Sequence, residues 1–149
     1  MLAQQRLALA GTANEPAGGW LSKTGAYTNF TTSEPLQAND AITFTLSEFN
    51  LIRHMVSLRS LLLMTASSIW RLDRGDRGLT PSMEGGVQQQ AAFGVSNIRP
   101  IVAGTKVLLL EANDARVRDL EFDFGSDAFK GDEISILSDH LVRGGIVDW

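Results

Sequence analysis

The chain has 149 residues, 44% of them hydrophobic, which is one ordinary domain's length with enough apolar side chain for a real core. Charged residues make up 20% and the net charge is −4, so no basic field exists to hold a phosphate backbone, and tight nucleic-acid binding is not expected. With no cysteine and only two histidines, disulfides, thiolate zinc sites and cysteine nucleophiles drop out together. We therefore expect no metal and no cofactor, and a fold held by packing.

In chain order, Leu7-Ala8-Leu9-Ala10 and Trp20-Leu21-Ser22 bracket a turn built from Thr12, Asn14, Pro16, Gly18 and Gly19, which predicts a hairpin. Ala41 to Leu46 alternates with β-branched and aromatic residues, as a half-buried strand does. From Ser47 onward, Phe49, Leu51, Ile52, Met55 and Val56 recur at three- and four-residue spacing, so a capped helical turn or two, or an irregular strand, is expected there. Leu61 to Thr65, Ala66-Ser67-Ser68 and Ile69 to Leu72 read as strand, tight turn, strand. Residues 73 to 100 form a polar, turn-rich excursion, with a short strand predicted near Ala92-Phe93-Gly94-Val95. Val107 to Leu110, a turn at Ala112 to Ala115, and Val117, Leu120, Phe122 and Phe124 make a third hairpin. Ile134, Ile136, Leu137 and Leu141 suit a short amphipathic segment, and Ile146 to Trp149 a closing strand.

The three hairpins share a plan: an apolar run, a small polar turn, and a return strand carrying Trp20, Trp70 or Val117. Their starts at Leu7, Leu61 and Val107 recur at the period of propeller blades, about 50 residues. The expected fold is all-β, one domain over residues 1–149, with propeller-like antiparallel hairpin units amounting to about three blades and one or two short helical turns.

Several phrases carry a resemblance. Gln4-Gln5-Arg6-Leu7 with Ala10-Gly11-Thr12, then Trp20 to Gly25 and Asn29-Phe30, resembles the opening of the propeller region in nozzle and hub proteins of the tailed-bacteriophage tail tube. Asp40-Ala41-Ile42, Ile52-Arg53-His54, Leu61 to Thr65, Leu79 to Ser82, Gly94-Val95-Ser96 and Asp132 to Leu141 follow in the order that family uses. The resemblance implies a virion structural protein whose copies ring the DNA exit channel, made in the host cytoplasm and carried in the tail. Its implied partners are other copies of itself and other tail or portal-adaptor proteins, with DNA passing without specific binding. No catalytic residues come with it. Proteins of that family are several times longer, so the resemblance also implies a truncated or split gene product. A closed propeller needs about four blades, and three would leave sheet edges open to association.

The remaining chemistry is sparse. Ser135, Asp139 and His140 have the residue types of a hydrolytic triad, but Asp139 and His140 are adjacent and no nucleophile elbow precedes them, so no triad is expected. His54, between Arg53 and Met55, reads as a hydrogen-bonded packing histidine rather than one half of a metal pair with His140. Glu111, Asp114, Asp119, Glu121, Asp123, Asp127, Asp132 and Glu133 crowd the last third. Two of these set at the right separation would suit glycoside hydrolysis, and carboxylates along a channel would repel DNA, but a solvated acidic face is the expectation. Asp73 and Asp76 lack the EF-hand ligand pattern, and Arg74-Gly75-Asp76 is read as a coincidental tripeptide. Trp20, Trp70 and Trp149 would make a sugar-stacking platform only if they shared a surface, and core packing is expected instead. The apolar runs fall short of the roughly 20 residues of a membrane helix. Met1 to Arg6 is not expected to direct secretion, so the sequon Asn29-Phe30-Thr31 is read as meaningless. The leading expectation is a non-enzymatic assembly module of a phage tail, and the alternative is a carbohydrate- or receptor-binding β-module on the tail's exterior.

Overall fold

A computed structural model of the chain describes residues 1–72, 79–82, 86–113, 116–135 and 145–149. Among these residues there are twelve strands and no helix. The first sheet holds β1 (Leu2–Ala3), β2 (Arg6–Ala10), β3 (Gly18–Leu21) and β4 (Ile42–Thr45). The second holds β5 (Ile52–Ser57), β6 (Leu61–Thr65), β7 (Ile69–Leu72) and β8 (Val87–Ala91). The third holds β9 (Ile101–Ala103), β10 (Lys106–Leu110), β11 (Val117–Asp123) and β12 (Ala128–Glu133). Each sheet is an antiparallel meander in chain order, and none closes on itself. The all-β expectation holds, and the three hairpins legible in the sequence are the central pairs β2/β3, β6/β7 and β10/β11.

The middle sheet explains the run Leu61 to Thr65, in which every residue is buried although strands normally alternate. Leu61, Leu63, Trp70 and Leu72 face the first sheet and pack with Ala8, Leu21, Ile42 and Phe44. Leu62, Met64 and Ile69 face the other way, onto Val107, Leu109, Leu120 and Phe129 of the third sheet. The protein thus has two cores separated by one sheet. Trp70 is 6% exposed and its indole N–H donates to Ser68 Oγ at 2.8 Å. Trp70→Ala should therefore lower stability by about 3 kcal/mol in urea titration, and a loss below about 0.5 kcal/mol would show that the ring is not core.

Three expectations are corrected. For Ser47 to Val56 the irregular-strand alternative holds, and the helical turn does not form. Phe49 and Leu51 are exposed, and Ile52 begins β5, whose register against β6 shifts between Ile52 and His54. That bulge puts Ile52 in one core and Val56 in the other, so the four-residue spacing came from a kinked strand and not from a helix face. The strand sought near Ala92 to Val95 lies earlier, at β8, an edge strand whose glutamines hid it; Val95 makes only an isolated bridge to Glu111. Ile146 to Trp149 joins no sheet, and Trp149 instead donates its indole N–H to Arg99 O at 3.0 Å. Of the amphipathic segment, Ile134 is exposed, while Ile136, Leu137 and Leu141 lie outside the described residues.

Candidate functional site

Two polar arrangements stand out among the described residues. The first is buried beneath the first sheet. Arg6, on β2, is 1% exposed; Nη1 donates to Ser22 O and Asp40 O, and Nη2 to Ala38 O and, more distantly, Leu79 O. The Asp40 carboxylate accepts from the backbone N–H of Ser33 and Gln37, from Ser33 Oγ, and from Lys23 Nζ at 2.8 Å. The Lys23 ammonium, helped by those N–H donors, holds the Asp40 carboxyl well below the usual carboxylate range. Burial lowers the Arg6 guanidinium's pKa from its ordinary value, with the charge of Asp40 opposing. These donors and acceptors satisfy one another, so the cluster ties the loop of residues 22–41 to the sheet and offers no reactive group.

The second arrangement is a groove where first strands come together. It is lined by β5 from Arg53 to Ser57, by Arg99, Pro100 and Val102 at the start of β9, and by Met1 just before β1, enclosing about 440 Å³. Arg53 Nη1 donates to Val95 O at 2.7 Å, and His54 Nε2 lies 2.9 Å from Ser96 O, which fixes the ring with Nε2 protonated. Burial pushes the His54 pKa down, and the charges of Arg53 and Arg99 push it further the same way, against the Ser96 hydrogen bond. The expectation of a hydrogen-bonded histidine is met, though the residue lines a groove instead of a closed core.

The acidic residues of the last third are knitted to cations. Lys106 pairs with Asp119 and Glu121, both at 2.9 Å, across the outer face of the third sheet. Arg118 pairs with Glu111 at 3.1 Å, Arg116 reaches Glu133 at 3.8 Å, Arg71 reaches Asp127 at 3.6 Å, and Lys130 pairs with Asp123. The Lys130 ammonium, with the Gly125 N–H and the Ser126 hydroxyl, holds the Asp123 carboxyl down to about 2. The expected acidic face is therefore a lattice of ion pairs, most of them between neighbouring strands and near the surface, where each is individually weak.

Ser135 is buried and its Oγ accepts from Val117 N–H, a strand-edge role. Asp139 and His140, Asp73 to Gly78 and Asp114 lie outside the described residues. The tryptophans share no surface: Trp70 is core, Trp20 is half-buried on the outer face of the first sheet, and Trp149 lies against Arg99. A smaller pocket of about 310 Å³ is lined by Phe122, Phe124 and Phe129, with the Arg59 guanidinium 5.2 Å from the centres of the Phe122 and Phe124 rings. No family model matches the chain, and no curated protein matches it.

Proposed function

We propose that this protein is a non-enzymatic structural module of a tailed-phage tail tube, of nozzle or hub type, that assembles by stacking four-stranded blades. Its partners in this reading are other copies of itself and neighbouring tail proteins, and DNA passes without specific binding. The phage setting rests on the ordered sequence resemblance. The observation that carries the assembly role is a repeated cross-strand pair. Leu63 opposite Trp70 faces the preceding sheet and is covered by it. Leu9 opposite Trp20 occupies the same place on the first sheet, but Leu9 is 46% exposed and Trp20 only half-buried, with no described sheet packed on that face. On the third sheet Leu109 opposite Arg118 repeats the direction, with Leu109 fully buried against the middle sheet. A further sheet of the same kind is the occupant that the repeat prescribes for the Leu9–Trp20 face.

Light scattering of the purified chain should give a discrete oligomer, with a ring and open centre in electron micrographs. Trp20→Lys should shift the mass to that of the monomer while leaving the near-ultraviolet circular dichroism of the Trp70 core in place, because a charge on that face opposes stacking. A wild-type monomer at all concentrations would overturn the reading.

A further inference from the structure

We propose that the groove between β5 and the start of β9 is a binding site for a phosphate monoester carried on a compact organic group, a mononucleotide being the simplest example. The chain as a whole is acidic, yet none of the residues lining this groove carries a carboxylate, and Arg53, His54 and Arg99 all stand in its wall. Among the described residues no carboxylate forms an ion pair with Arg53 or Arg99, whereas Lys106, Arg116, Arg118 and Lys130 each have one. Neither guanidinium of this groove is thus neutralised by a described carboxylate.

The chemistry selects among anions. Arg99 presents a planar fork of donors suited to two oxygens, Arg53 adds the N–H groups that its bond to Val95 O leaves over, and the imidazole adds a third cationic group on protonation. That set exceeds what a single carboxylate needs and fits the dianion of a monoester. The groove's volume, about 440 Å³, is larger than an inorganic phosphate and lies within the range of small-molecule sites. Its remaining wall, from Met55, Val56, Pro100 and Val102, is apolar and would take the organic part. Arg53 is held in place by its bond to Val95 O, and the His54 ring by Ser96 O, so much of the site is preorganised. The proton gained by His54 when an anion neutralises Arg53 and Arg99 gives a second readout, since those two charges help hold the ring's pKa down, while the Met1 ammonium, which also lines the groove, donates to Ala8 O.

The test is calorimetric titration of the whole chain with adenosine 5′-monophosphate, adenosine and inorganic phosphate, alongside nuclear magnetic resonance titration of the His54 ring. The monophosphate should bind, phosphate more weakly and adenosine not at all, and the His54 pKa should rise on binding. Arg99→Gln, at an exposed side chain whose backbone contact to Trp149 is kept, should weaken the monophosphate by about tenfold or more, as should Arg53→Lys, which keeps the charge but loses the fork. A free nucleotide and the phosphorylated end of a DNA strand carry the same group. A short oligonucleotide bound only when 5′-phosphorylated would support the site and show that it accepts a strand end, and exclusion of both oligonucleotides with retention of the mononucleotide would support a small-molecule site. Equal binding of phosphorylated and unphosphorylated strands, tighter binding of an oligoglutamate peptide, or unchanged affinity in Arg99→Gln would overturn the proposal.

Discussion

Arg6→Met should cost the fold about 4 kcal/mol, read as a lower urea midpoint with an unchanged slope. The methionine keeps most of the side chain's apolar length, so the loss isolates the guanidinium. In the native chain that group donates to Ser22 O at 2.7 Å, Asp40 O at 2.6 Å and Ala38 O at 2.9 Å, and reaches Leu79 O at 3.4 Å. Removing it leaves the carbonyls of Ser22, Asp40 and Leu79 without this donor in buried surroundings, and each buried orphan costs about 1–3 kcal/mol. Relaxation of the loop would recover part of the sum, which brings the expectation to about 4 kcal/mol. Arg6→Lys should fall between the two, because one ammonium cannot span carbonyls on three segments. Asp40 should remain paired with Lys23 in both variants, so the loss should not depend on carboxylate titration near neutral pH. A fall under about 1 kcal/mol in Arg6→Met would mean that the loop is held by the Asp40 bonds alone.

That cluster also marks where the sequence stopped being readable. The strands announced by apolar runs, β6, β7 and β10, were legible because burial on two faces leaves an uninterrupted signal. β1 was not, since its turn to β2 is Gln4-Gln5 with φ of 46° and 60°, a left-handed pair usually announced by Asn-Gly. Arg6 follows two glutamines and reads as surface; only its carbonyl partners, far along the chain, reveal it as core. β8 was hidden by glutamines that an edge strand can leave exposed, and β5 by a bulge that mimics helical spacing. The groove fared similarly. His54 and Arg53 were visible as neighbours, but Arg99 joins them only through the stacking of the second and third sheets, which no local pattern encodes. Trp20 and Trp70, at equivalent repeat positions, stand on different sheets, Trp70 in the core and Trp20 half-buried on the outer face of the first, so these two share no platform.

Gly94→Ala should destabilise by about 4 kcal/mol, far beyond what one methyl group ordinarily costs. A Cβ at Gly94 would overlap the Ala66 carbonyl and stand 2.7 Å from the Ser67 amide nitrogen. The backbone there has no freedom to yield. Val95 N–H donates to Thr65 O at 2.8 Å on the second sheet, while Ser96 N–H donates to Leu110 O at 2.9 Å and Gly94 O accepts from Ala112 N–H at 3.0 Å on the third. Sliding the segment away from Ala66 would therefore break the bonds that join two sheets. Gly11 stands in the corresponding place between the first and second sheets, where a Cβ would overlap Ile52 O. Gly104→Ala is the control: its φ of +63° strains an alanine, but nothing lies within 4 Å, so the expected loss is about 1 kcal/mol. The difference between the two alanines measures the junction and not the backbone angle. Equal losses would mean that the segment can move, and that the two cores, not this link, set the spacing of the sheets. A much larger loss at Gly94, with the Trp70 core unfolding together with the rest, would show that the three stacked sheets behave as one cooperative unit.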